Sequence, residues 1–249
     1  MTVQTTSVNR TAFAPLRNVA LCMTLVNRLI HRAPSLPGLG VMYSPSGYGK
    51  SYASIYAQNK TGAIRVEVGE SWNRKTLVHA LLLELGVSAP RGTIADLTAE
   101  AIRLIGDDPM RPVIIDEADK LVDKGMIEIV REIHEHSQAP VLLIGEELLP
   151  GKLQKVERVH NRVLEWLPAQ PCDIDDCSKL ASVFLHNIAL ADGLAARIVE
   201  AADGRARRIV VTLDAMAEWA RNTGSKEIPL DWDGRLFTGR PPQRRGGAR

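Results

Sequence analysis

Tyr43-Ser44-Pro45-Ser46-Gly47-Tyr48-Gly49-Lys50-Ser51 is the stretch that decides how the rest of this 249-residue chain is read. The apolar run Leu39-Gly40-Val41-Met42 leads into it, and Tyr52-Ala53-Ser54-Ile55-Tyr56-Ala57 follows as a helix. Strand, glycine-bearing turn and helix start, in that order, make a phosphate-binding loop. Gly47 and Gly49 let the N–H groups of the turn, those of Ser46 and Tyr48 included, point inward on a polyphosphate. The helix start adds the positive end of its dipole. Lys50 can reach β- and γ-phosphate oxygens, and the Ser51 hydroxyl can ligate magnesium. Ser44 stands where the pattern G-x-x-x-x-G-K-[ST] has its first glycine, so a strict search passes over this loop.

Such a loop needs an acidic partner. Arg111-Pro112-Val113-Ile114-Ile115-Asp116-Glu117-Ala118-Asp119 is a short β-branched run that ends in carboxylates. It reads as a buried parallel strand, with Asp116 at its carboxyl end, where open α/β sheets bind ligands. Asp116 can hold a magnesium shell directly or through water, and Glu117 can orient and deprotonate an attacking water.

Outward from these two stretches, helical and strand patterns alternate. Leu16, Val19, Ala20, Met23, Val26, Leu29 and Ile30 repeat at helical spacing until Pro34 and Pro37. Ala63–Val68 alternates as a strand, Leu77–Leu85 reads as a helix, and Thr93 caps another bearing Ile94, Leu97, Ala101, Leu104 and Ile105. Met126, Ile129, Val130 and Ile133 form a further helical stripe. His134 and His136 face apart on that helix and read as solvated. Val141–Gly145 and Val163–Leu167 complete the strands, and the alternation specifies a parallel, helix-covered α/β sheet. After residue 168 no strand is evident. The expected organisation is a loose N-terminus over 1–12, an α/β domain over 13–168, a helical lid over 169–230 and a loose basic tail over 231–249.

Composition is that of a globular protein, with 45% hydrophobic and 24% charged residues. The last eleven residues hold Arg240, Arg244, Arg245 and Arg249 and no acid, so removing those four charges from the formal +2 leaves a nearly neutral body. Three cysteines without framework spacing indicate free thiols in a reducing compartment. No run nears the ~20 apolar residues of a membrane span. A cytoplasmic protein that does not engage a membrane is expected.

Ser44–Ser51, Val113–Asp119 and Asp203-Gly204-Arg205-Ala206-Arg207, with Thr76–Gly86 and Val141–Leu149 between them, resemble an AAA+ ATPase across residues 13–222. Within that superfamily the chain is most similar to the group holding the phage Mu B transposition protein, its transposon-borne relatives and the ExeA-type secretion ATPases. The resemblance implies a P-loop NTPase core with a small C-terminal helical lid, and ATP with Mg2+ as cofactors. It assigns Lys50 and Ser51 to phosphate and magnesium, Asp116 to the metal, Glu117 to water, and Arg207 to the lid's phosphate-sensing position. It also implies an arginine finger, acting on a neighbouring subunit, just before the last core strand. Arg158 and Arg162 both qualify, and Arg162 is preferred. Glu146 occupies the position where the family has a small polar sensor.

The activity implied is that of an oligomeric, ATP-dependent DNA-binding ATPase, a ring or helical filament on duplex DNA, that helps a transposase select its target. An ExeA-type secretion or cell-envelope ATPase is the alternative. DNA contact is expected from the Trp72/Arg74/Lys75 loop, where two bases sit beside an aromatic, and from Arg240, Arg244 and Arg245 in the tail.

Overall fold

A computed structural model describes residues 14–240, and the chain divides into two compact units. One spans Arg17–Gln170. The other runs from Pro171 onward and takes in residues 14–16.

The larger unit opens with α1 (Arg17–Ile30), whose buried stripe is Val19, Cys22, Leu25, Val26 and Leu29. Then come β1 (Leu39–Tyr43), α2 (Lys50–Thr61), β2 (Ile64–Glu67), α3 (Arg74–Glu84) and α4 (Ile94–Gly106). Asn73 caps α3 by accepting from the Thr76 N–H at 3.0 Å. Thr93 and Asp96 form a reciprocal capping box at the start of α4. β3 (Val113–Asp116), α5 (Asp119–Asp123), α6 (Ile127–Ser137), β4 (Val141–Gly145), α7 (Leu149–Gln154), α8 (Glu157–His160) and β5 (Val163–Pro168) complete the unit. Of these, α5, α7 and α8 are too short to leave a periodic trace in the sequence.

The five strands form one parallel sheet in the order β2-β3-β4-β1-β5. Alternate strand residues face opposite layers. Leu39, Val41, Val113, Ile115, Val141 and Leu143 join the core built with α3, α4 and α6. Gly40, on the other face of β1, lies under Leu25 and Leu29 of α1: a Cβ there would come within 2.8 Å of Leu29 Cδ1. β3 and β4 are buried along their whole length. That explains why they read as unbroken apolar runs.

His134 departs from expectation. His136 is exposed, but His134 is 6% exposed and its Nδ1 donates to the Ala139 carbonyl at 2.8 Å. The αL turn at Gln138 carries the chain back toward β4 and brings that carbonyl under the ring.

In the second unit α9 (Ile174–Phe184), β6 (Ala189–Leu190), α10 (Leu194–Ala202), α11 (Ala206–Thr223) and β7 (Glu227–Ile228) follow in order. Asp173 caps α9 through the Asp176 N–H at 2.8 Å. The expectation of no strand beyond 168 is corrected by the two-residue parallel pair β6–β7, which is shorter than any pattern that alternation could reveal. The tail boundary at 231 is also corrected. Trp232 is buried, and the Phe237 N–H donates to Thr212 Oγ1 on α11 at 3.0 Å, so this segment is held against the helices. The expected loose N-terminus, residues 1–12, and Arg244, Arg245 and Arg249 lie outside the described residues.

Burial lowers the His134 pKa from its ordinary value of 6.5, against the raising effect of its bond to Ala139. The unfolded chain therefore takes up a proton first as the pH falls. This histidine costs nothing above pH ~6.5 and costs stability below it, with a slope of up to about 1.4 kcal/mol per pH unit. His134→Gln should flatten the fall in stability on acidification from pH 6.5, read by chemical denaturation at a series of pH values.

Candidate functional site

The turn between β1 and α2 needs its two glycines. Gly47 has φ 94° and Gly49 φ 85°, both left-handed. Gly49 is the N-cap of α2, and no side chain caps that helix, whereas α3, α4 and α9 are capped by Asn73, Thr93 and Asp173. The first-turn N–H groups of α2 are thus offered to an anion. Lys50 Nζ reaches back over the turn to the Ser44 carbonyl (2.7 Å), Ser44 Oγ (3.1 Å) and the Pro45 carbonyl (3.1 Å). Ser44 is not among the residues with positive φ, so the backbone there does not demand glycine, and its hydroxyl becomes a lysine contact. Burial lowers the Lys50 pKa, while Asp116, Glu146, Glu117 and Glu147 pull it the other way.

One support of this turn has no motif. Asn18, buried on α1, donates to the Tyr48 carbonyl at 2.8 Å and the Gln170 carbonyl at 2.7 Å, and accepts from the Gln170 N–H at 2.9 Å. It ties the phosphate-type loop to the chain leaving β5.

Asp116 ends β3 on the same edge of the sheet and is 2% exposed. Its Oδ1 accepts the Glu117 N–H at 3.0 Å, and its Oδ2 accepts Arg65 Nη2 at 2.9 Å. Glu117 sits at φ 58°, an unusual conformation for a non-glycine residue. Its carboxylate, 41% exposed, lies 3.4 Å from Lys120 Nζ, which also donates to the Val68 carbonyl at 3.1 Å. Ser51 and Asp116 supply the hard oxygen donors that Mg2+ takes. That ion uses one or two carboxylates together with phosphate oxygens instead of an all-protein cage. Among the described residues no group of three or more His, Cys, Asp or Glu could hold a metal. By their oxygen chemistry alone, Ser51 and Asp116 fit magnesium bound together with a polyphosphate. Glu146, at the end of β4, is exposed, and its N–H is held by Asp119 Oδ2 at 2.6 Å.

The arginines divide by location. The Arg162 carbonyl accepts the Leu39 N–H at 3.0 Å, so Arg162 stands at the amino edge of the sheet, the opposite end from Lys50 and Asp116. It pairs with Glu135 at 2.7 Å. Arg158, on α8, is exposed. Arg162 does not share an edge with the loop of its own chain. Arg207 is exposed on the first turn of α11, three residues after the left-handed Gly204 and two after the N-cap Arg205.

The Trp72 loop differs from a free aromatic finger. Trp72 packs against the core, its N–H bonds the Gly69 carbonyl at 3.2 Å, and a Cβ at residue 69 would come within 2.5 Å of its ring nitrogen. Arg74 and Lys75 are exposed at the start of α3, with Arg74 donating to the Gly125 carbonyl at 3.0 Å. Arg240 is exposed at the end of the described residues.

Residues 32–153 match the family model described as an AAA domain. The fold is that of an AAA+ P-loop NTPase. Among solved structures, the chain is similar to the Aeropyrum pernix ORC2 protein in its ADPNP–ADP complexes, at TM-score 0.66 and 14% identity, over 93% of this chain and 70% of that one. The Aeropyrum pernix ORC1 protein in complex with DNA gives 0.63 and 15%, over 84% and 61%. The RuvB Holliday junction branch migration motor of Thermotoga maritima gives 0.58 and 17%, over 86% and 65%. No curated protein matches the chain. Among the described residues no helix is long and apolar enough to cross a membrane.

For this AAA+ core, Lys50→Ala should abolish binding of a fluorescent ATP analogue, since hydrogen bonds to charged groups contribute roughly 1.5–3 kcal/mol each. Ser44→Gly removes one hydroxyl acceptor and should weaken binding by no more than about 1 kcal/mol. A fluorescence titration of both variants checks the pair.

Proposed function

We propose that this protein is an ATP-dependent, DNA-binding ATPase that assembles on duplex DNA and presents the target to a transposase. The observation that carries the ATPase part is the meeting of Lys50, Asp116 and Glu117 on one edge of the sheet. In this reading the N–H groups of Ser46–Ser51 and the Lys50 ammonium hold the triphosphate. Ser51 and Asp116 hold Mg2+, whose role is to bridge and neutralise the phosphate oxygens. Glu117 orients water and takes its proton, with Lys120 steadying the carboxylate.

Arg162 or Arg158 completes a neighbour's site, in keeping with the position of Arg162 on the far edge from its own loop. Arg158 is the more open of the two, because Arg162 must first leave Glu135. Arg207 takes the phosphate-sensing role that the sequence resemblance gives it. ATP thereby favours the homo-oligomer, a ring or filament, and hydrolysis dissolves it.

DNA as the ligand rests on Arg74, Lys75 and the tail arginines 240, 244 and 245, and it is supported by relatives that include an ORC1 protein solved with DNA. Trp72 anchors the loop in this scheme and does not stack on bases. Target delivery to a transposase rests on the sequence resemblance to the Mu B group. A cytoplasmic location in a bacterial host goes with it.

ATPase rate and sedimentation of the purified protein, with and without duplex DNA, test the reading. ATP should drive co-sedimentation with DNA of any sequence, and rising salt should weaken it by roughly 0.9 log unit per phosphate contact. Glu117→Gln should bind ATP and stay on DNA without turnover. Joint replacement of Arg74 and Lys75 by alanine should remove the ATP-dependent binding. Rates and sedimentation indifferent to DNA would turn the assignment toward the ExeA type.

A further inference from the structure

A chain of hydrogen bonds runs from the helix of the phosphate loop to the acidic strand end, and its middle member is Arg65. Ser54, fully buried one turn past Ser51 on α2, donates its hydroxyl to the Ser51 carbonyl at 2.7 Å. The same oxygen accepts Arg65 Nε at 2.8 Å. Arg65 Nη2 donates to Asp116 Oδ2 at 2.9 Å, and Asp116 Oδ1 accepts the Glu117 N–H at 3.0 Å. Nη2 also lies 3.3 Å from Glu67 Oε2, an exposed carboxylate. The Arg65 and Asp116 side chains are 13% and 3% exposed, so water does little to screen this pair.

The shape of the guanidinium matters here. Its Nε and Nη2 are fixed in one plane and can serve acceptors on two different elements at once. Arg65 uses one on α2 and the other on β3. The register Glu67↔Asp116 brings it there, because Arg65 lies two residues before Glu67 on the neighbouring strand.

We infer that Arg65 is the positioning residue of the magnesium site. By bridging Ser54 and Asp116 it holds Ser51 and Asp116 in the mutual orientation that a shared metal requires, and it balances the charge of Asp116. The inference rests on the nucleotide reading of this site and adds a residue that no P-loop or acidic-strand pattern contains.

The experiment measures the Mg2+ concentration for half-maximal binding of a fluorescent ATP analogue, and thermal unfolding in EDTA without nucleotide, for wild type, Arg65→Gln, Arg65→Lys and Ser54→Ala. Arg65→Gln and Ser54→Ala should raise the Mg2+ midpoint about 10- to 100-fold, as loss of a partner that orients a metal ligand does. Arg65→Lys should recover the unfolding temperature, because it supplies a cation to Asp116. It should keep the raised midpoint, because one ammonium does not span both acceptors.

A lysine variant with the wild-type midpoint would reduce Arg65 to a counter-charge and overturn the bridging role. Wild-type midpoints in both Arg65→Gln and Ser54→Ala would overturn the proposal altogether. Should Arg65→Gln fail to fold, Ser54→Ala decides alone, since it deletes the two bonds made by the Ser54 hydroxyl and leaves the ion pair in place. A wild-type protein that binds no analogue removes the nucleotide reading itself, and this inference falls with it.

Discussion

Parallel registration of β3, β4 and β1 is the constraint on which the rest of this unit depends. Tyr43 is level with Gly145, and Ile115 with Leu143, so the three strands end on one edge. Parallel strands cannot be joined by hairpins, so every connection crosses back over a face. Those crossings supply the helices that bury β3 and β4 on both sides. They also send the loops after β1, β3 and β4 to a common rim, where Lys50, Asp116 and Glu146 begin. The opposite rim receives the chain entering each strand. Arg162 and Glu135 stand there, with Ser35, Leu36 and His134, around an open cleft of about 510 Å³. One sheet thus separates Lys50 and Asp116 on one rim from Arg162 on the other.

Around the first rim, Asp116, Asp119 and Lys50 each have partners. Asp116 has Arg65. Asp119, nearly buried at the start of α5, takes the Glu146 N–H and lies 3.5 Å from Lys152. Lys50 rests on the carbonyls of its own loop. Ions withdrawn from water are tolerated only with such partners. The contacts that make the charges tolerable also fix their directions, so rigidity of the rim follows from the same bonds that keep the fold intact.

The sequence makes this rim legible because its chemistry is local. Gly47, Gly49, Lys50 and Ser51 are adjacent, and their order can be recognised without a third dimension. The same holds for the buried run that ends in Asp116 and Glu117, and for the cap at Thr93. Arg65, Asn18 and Ser54 are different. Each acts on residues brought close only by sheet register or helix packing, and nothing near them in the chain marks the role. The packing of Trp72 is hidden for a related reason, since it depends on a tight turn at Gly69 and on the core beneath it, which its neighbours Arg74 and Lys75 do not reveal. The burial of His134 likewise depends on where β4 begins.

Glu117 carries a cost that stays with the chain for as long as it keeps a carboxylate there. A left-handed φ of 58° is unfavourable for a residue with a Cβ, by about 1–2 kcal/mol. Glycine would adopt it freely, and that relief outweighs glycine's larger freedom in the unfolded chain. A library of variants sorted for heat resistance alone would therefore drift toward glycine at position 117, and its most robust members would be the ones that had lost the carboxylate next to Asp116.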